Sequence, residues 1–115
     1  MESINKSIWS WFLQRITAAI LVIGLFVHFW VLHFGLEKPL NFDKVQARLI
    51  SPYWIIFDMI LLLCAVYHGL NGIWGIYLDF NPGEKARKVI GWIFAVVGIL
   101  SFFFGAYILF PFQGV

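Results

Sequence analysis

Residues 52–80 read PYWIIFDMILLLCAVYHGLNGIWGIYLDF, and this stretch decides the fold. It is apolar throughout, with one carboxylate near its start (Asp58) and one at its end (Asp79). A run of that length crosses the hydrocarbon of a bilayer as a single helix. Ser51 and Pro52 mark its beginning, serine as the cap and proline in the first turn. Asn81, Pro82 and Gly83 form the turn that ends it. Two further apolar stretches flank it. The predicted architecture is an all-α membrane protein, one domain over residues 1–115, with a bundle of three transmembrane helices at approximately 12–36, 52–80 and 88–112.

Composition excludes the alternative of a soluble domain. The chain is 62% hydrophobic and only 12% charged, too little polar surface to cover 115 residues in water. An active site for a soluble substrate therefore belongs to a partner, and no catalytic residue is assigned here. The first apolar stretch is too long for a cleavable signal and lacks a small-residue cleavage site. Residues 1–11 (MESINKSIWSW) read as an interfacial lead-in, with Trp9 and Trp11 suited to the headgroup layer. Lys6, Arg15, Lys85, Arg87 and Lys88 lie on one side of the membrane, and Lys38, Lys44 and Arg48 on the other. Five against three places the N-terminus in the cytoplasm. Cys64, the single cysteine, reads as a packed thiol.

The second span carries a stripe. His68, Gly72, Gly75 and Asp79 fall at i, i+4, i+7 and i+11, hence on one helix face. The first span repeats the pattern with Thr17, Leu21, Gly24 and His28. Ionisable residues inside a membrane are costly and mark function. Neutral imidazole is a usual axial ligand of haem iron, and glycines clear room for a flat ring. From spacing alone a second reading stands beside this one, in which both histidines hydrogen-bond to neighbouring helices and the glycines serve packing. His33, on another face near a helix end, reads as interfacial. Arg15 either meets haem propionates or a quinone carbonyl, or snorkels as an anchor. Asp79 either serves a quinone, pairs with Arg15, or is a solvated helix end. Asp58 receives no assignment. Gly91, Gly98 and Gly105, seven apart, make a smooth ridge on the third span.

Helical rise from the outer ends puts His28 about 12 Å and His68 about 24 Å deep, whereas counting from Arg15 and Asp79 gives about 20 and 16 Å. The outer reckoning has the surer endpoint, Pro52. It predicts two haems at different depths, each taking a second ligand from another chain.

Two segments carry a resemblance: SIWSWFLQRITAAILVIGLFVHFW and SPYWIIFDMILLLCAVYHGLNGIWGIYLDF. Arginine with a small hydroxyl before an intramembrane histidine, then histidine with glycine four and aspartate eleven residues later, resembles the membrane-anchor subunits of succinate dehydrogenase and fumarate reductase (respiratory complex II). The likeness is to the C-terminal half of the fused, two-haem cytochrome b anchor, through the QRIT start and the H-x3-G-x-W run. The resemblance implies that His68 ligates b-type haem nearer the iron–sulfur subunit and His28 ligates haem nearer the opposite face. It implies Arg15 beside propionates and quinone, and Asp79 in the place of the aspartate of an Asp-Tyr pair. Phe80 departs from that pair, having no hydroxyl. Ser7, Ser10 and Trp9 are pocket candidates.

The implied function is a hydrophobic anchor of succinate:quinone oxidoreductase in the cytoplasmic (inner) membrane, passing electrons between iron–sulfur centres and a quinone for which menaquinone fits two haems. Its expected partners are a companion anchor subunit, the iron–sulfur subunit, the flavoprotein subunit and membrane lipid, with no nucleic acid. An anchor with a single haem on His68, or a haem-free scaffold, are the alternatives.

Overall fold

The computed structural model describes residues 2–36 and 40–109, with residues 2–6 as backbone only. Helix α1 runs Glu2–Trp30 and continues into a π-helical turn, Val31–Gly35. It begins well before the expected boundary near residue 12. The lead-in contains no glycine or proline before Gly24, so nothing stops the helix from propagating through it. Trp9 and Trp11 are 61% and 59% exposed, on the outside of that helix. In the π turn, His33 uses Nδ1 on the Phe29 carbonyl (3.1 Å) and stacks on the Phe29 ring at 3.9 Å, which leaves it an exposed local contact.

A short helix, α2 (Phe42–Leu49), follows. Its N-cap is Asn41, whose side chain accepts the Lys44 N–H at 3.0 Å. Helix α3 spans Pro52–Asp79 with proline in its first turn. Ser51 occupies the N-cap position, yet its hydroxyl makes no capping bond; Pro52 alone sets the start. Asn81 takes a left-handed conformation (φ 53°), the αL residue that ends α3 before Pro82. Helix α4 occupies Glu84–Leu109, and the end expected near residue 112 lies outside the described residues.

The three long helices have 29, 28 and 26 residues from Ser7–Gly35, Pro52–Asp79 and Glu84–Leu109. At about 1.5 Å per residue the shortest exceeds the roughly 30 Å of hydrocarbon. They form the expected three-helix bundle with α3 in the middle: α3 packs against both α1 and α4, while among the described residues no Cα of α1 lies within 8 Å of one of α4. Burial is accordingly sparse. Among the described residues Leu49, Leu61, Cys64 and Ala106 are the buried hydrophobic ones, while Val22, Phe26 and Phe104 are 73%, 67% and 66% exposed. Such a surface demands lipid or protein on every side.

Glycine makes the close approaches. A Cβ on Gly24 would lie 2.5 Å from Leu61 Cδ2, so α1 presses onto α3 there. On the α4 ridge, Gly105 seats Leu62 and Gly98 seats Leu70, each nearer than 3 Å to where a Cβ would stand, and Gly91 meets Trp74 at 3.5 Å. With no hydrophobic drive between helices in lipid, these van der Waals contacts hold the bundle together. Gly24→Leu should therefore lower the thermal unfolding midpoint in detergent, with an overpacking cost of about 1–3 kcal/mol. Gly69→Leu, at a position with nothing within 4 Å, should leave it unchanged.

Candidate functional site

The α1–α3 seam is built from two matching stripes. Along α1, Ser7, Ser10, Gln14, Thr17, Leu21, Gly24 and His28 follow a strict three-four spacing; along α3, Asp58, Leu61, Ala65, His68, Gly72, Gly75 and Asp79 do the same. That spacing puts the members of each stripe on one helix face, of which the stretch from Ser10 to His28 on α1 meets the stretch from Asp58 to Gly72 on α3, while Ser7, Gly75 and Asp79 at one end are exposed. Antiparallel pairing then sets His28 against Asp58, Gly24 against Leu61, Thr17 against His68, and Ser10 with Gln14 against Asn71.

Thr17 is buried at 8% exposure. Its hydroxyl proton goes to the backbone, to Leu13 O at 2.7 Å with Gln14 O at 3.2 Å as the alternative acceptor. The oxygen therefore acts as acceptor towards His68 Nδ1, 3.2 Å away. This fixes the tautomer: Nδ1 carries the proton and donates to Thr17, and the lone pair sits on Nε2. One helix turn on, the Gln14 amide donates to the His68 carbonyl (3.2 Å), and Asn71 Nδ2 donates to Gln14 Oε1 (2.8 Å) and Ser10 O (3.3 Å). Ser10 Oγ closes the set by donating to Asn71 Oδ1 at 3.0 Å. Gly72 is the space into which Gln14 reaches, its missing Cβ being 3.4 Å from Nε2.

Beyond this ladder a groove of about 720 Å³ opens, lined by polar side chains including Ser7, Ser10, Gln14, Arg15, Asn71 and Arg87, with Gly72 and Gly75 as its floor. Arg15 is exposed and lies over the Trp11 ring at 5.3 Å. Asp79 is exposed at the end of α3 and makes no ion pair with Arg15 among the described residues. The groove thus gathers two cations and several hydroxyl and amide groups at one end of the seam.

The other end holds a second polar cluster. Asp58, 8% exposed, takes both Arg48 nitrogens, Nη1 at 2.9 Å and Nη2 at 3.0 Å. The Arg48 guanidinium is capped by the Trp54 ring at 4.5 Å. His28 Nδ1 stands 3.5 Å from Asp58 Oδ1, within charge contact but without a formed hydrogen bond. Among the described residues, His28 Nδ1 and Arg48 Nε are the buried side-chain nitrogens without a hydrogen-bond partner, and both belong to this cluster. The His28 ring faces a cavity of about 320 Å³ to which all three long helices contribute, through Leu25, Leu62, Gly105 and Ile108 among others.

The register gives the separation of the two imidazoles. Asp58 lies beside His28, and ten residues of α3 separate it from His68, about 15 Å along the axis at 1.5 Å per residue. That agrees with the reckoning from the outer helix ends and not with the one from Arg15 and Asp79. Both rings turn Nδ1 towards an oxygen of the opposite helix, which leaves Nε2 as the nitrogen for a ligand, and no group of three or more His, Cys, Asp or Glu side chains gathers as a metal site among the described residues. Single imidazoles at separate levels fit a metal complex that draws its remaining ligand from elsewhere. From the sequence Thr17 has no role, Arg48 counts only as a loop charge, and Gln14 and Asn71 carry no reading; continuing the α1 stripe towards Ser7 reaches Gln14, and continuing the α3 stripe reaches Asp58, whereas Asn71 and Arg48 lie off both.

An apolar three-helix bundle with a polar seam defines a multi-pass integral membrane protein. The chain belongs to the succinate dehydrogenase/fumarate reductase transmembrane subunit family, whose model matches residues 2–108. Among its relatives, the succinate dehydrogenase hydrophobic membrane anchor subunit of Archaeoglobus fulgidus is 30% identical over 88% of this chain and 86% of its own length. That of Thermoplasma acidophilum is 33% identical over 82% and 77%. The succinate dehydrogenase cytochrome b558 subunit of Bacillus subtilis is 22% identical over 90% of this chain and 54% of its own length.

Thr17→Val should leave the His68 Nδ1–H without an acceptor and weaken the seam by about 1–3 kcal/mol. Thr17→Ser, which keeps the oxygen, should restore the thermal midpoint in detergent.

Proposed function

We propose that this anchor subunit co-ligates two b-type haems, through Nε2 of His68 and Nε2 of His28, and relays electrons between the iron–sulfur subunit and membrane quinone. The observation that carries the reading is the pair of imidazoles about 15 Å apart along one seam, each with Nδ1 turned to an oxygen of the opposite helix. A metal-bound histidine ordinarily places its other ring nitrogen on such an oxygen, which fixes tautomer and orientation. Bound at these positions, haem iron supplies one-electron redox chemistry at two depths in the membrane. The protein's part is to hold the rings still: Thr17 orients His68, and the Gln14–Asn71–Ser10 ladder locks α1 against α3 beneath it.

With one imidazole of this chain at each depth, each haem would take its second ligand from a companion anchor subunit. The groove with Arg15 and Arg87 provides cations for propionates and, with Ser7, Ser10 and Asn71, hydrogen-bonding groups for a quinone, menaquinone being the one that suits a two-haem relay. Asp79 and Gly72 border the same end. With Lys and Arg counts placing the N-terminus in the cytoplasm, that groove faces the iron–sulfur and flavoprotein subunits at the inner membrane.

A second reading keeps a single haem on His68, with His28 serving only as the polar neighbour of Asp58; their 3.5 Å approach favours it. A pyridine haemochrome assay on the purified complex separates the two. Two haems per copy of this chain are expected, falling to one in His28→Ala and to one in His68→Ala. Unchanged haem content in His28→Ala selects the single-haem reading, and absence of haem from the unaltered complex overturns both.

A further inference from the structure

The Arg48–Asp58 pair is buried, bidentate and held under an aromatic ring, yet the function proposed above gives it no task. Surface ion pairs need none, but a charged pair out of water is retained against a desolvation cost. Its position is also particular. Asp58 shares the stripe of His68, Gly72 and Asp79, and of all the side chains on the α3 face it is the one opposite His28. The carboxylate is not free to choose its orientation. Two guanidinium nitrogens at 2.9 and 3.0 Å fix its plane, and α2, whose Arg48 and Leu49 are its buried residues, is capped by Asn41 and lies against α3. Meanwhile His28 Nδ1 is buried, unpartnered and 3.5 Å from Oδ1. Buried nitrogens are normally satisfied, so an imidazole aimed at a fixed carboxylate and just short of bonding it marks an arrangement that tightens once the ring's other nitrogen is engaged.

We infer that Arg48 and Asp58 are positioning residues for His28: Asp58 accepts the Nδ1–H of the imidazole, so that Nε2 offers its lone pair to iron, and Arg48 holds the carboxylate in place. This rests on the reading of His28 as a haem ligand. A carboxylate partner raises the donor strength of a ligating imidazole, which favours the oxidised metal and lowers its potential. Thr17, a neutral hydroxyl, does less of this for His68. The two ligands on this chain are therefore tuned by different partners, and α2 is the clamp that sets one of them.

The test is a redox titration of the purified complex, followed by absorbance and by the low-spin ferric EPR signals, with haem counted alongside. Removing Asp58 alone would strand a buried guanidinium, so both partners are replaced together: Arg48→Gln with Asp58→Asn, which stays polar, and Arg48→Met with Asp58→Leu, which is apolar. The expected result is that one haem shifts, its oxidised-to-reduced ratio at fixed potential falling about tenfold, an upward move of about 59 mV for one electron. Its EPR signal should change while that of the His68 haem stays. Loss of the His28 haem alone, with the other retained, also supports the positioning role. If both potentials and both EPR signals are unchanged, or if both double variants lose the two haems together, the pair is a structural clamp and the inference falls. His28→Ala is the control for the underlying reading: should it leave the haem count unchanged, the ligand assignment fails first, independently of Asp58.

Discussion

The structure depends on polar contacts made where water is absent. Between helices in lipid, apolar packing has no solvent to escape, so association rests on close approach and on hydrogen bonds. Here α1 and α3 meet through Gly24 on Leu61 at one level and through an oxygen-and-amide ladder at the others. Each polar group in that ladder has a partner on the opposite helix or its own backbone. Remove the register and the His68, Gln14 and Asn71 side chains lose their partners across the seam. That penalty fixes how α1 lies on α3, and hence where the two histidines sit.

The same bundle leaves most of its apolar surface uncovered. Helix α3 spends one face on α1 and another on α4, whose glycine ridge accepts Leu62, Leu70 and Trp74, and the remaining surface is large, apolar and uncovered. An anchor subunit of succinate dehydrogenase associates with the other subunits of its complex, and this shape explains why it must. Three helices that bury so few of their described residues bury too little to be an independent domain. The polar groove with Arg15 and Arg87 and the cavity beside His28 lie at opposite ends of one seam. On the proposed function that seam is the axis of electron transfer.

Much of this was legible in the chain. Apolar length gave three spans, and the i, i+4, i+7, i+11 spacing correctly placed His68 and Asp79 on one face and Thr17 and His28 on another. What the spacing could not give was the partner of each face. Gly72 read as a clearing for a flat ring; in the fold it admits the Gln14 amide. Asp58 had no reading, because its meaning lies in Arg48, ten positions earlier on a separate short helix. Pairing across helices depends on register, and register emerged only once the polar stripes were set antiparallel. The start of α1 was missed for a local reason, since a polar lead-in without a breaker continues a helix as readily as it ends one.

A cryo-EM map of the whole complex tests the central claim most directly, because it shows what stands on Nε2 of each imidazole. The account predicts two porphyrins at different depths, with iron on Nε2 of His68 and on Nε2 of His28, and with Thr17 and Asp58 on the respective Nδ1 atoms. A map in which neither imidazole meets a porphyrin, both rings instead packing against protein or lipid, would contradict it.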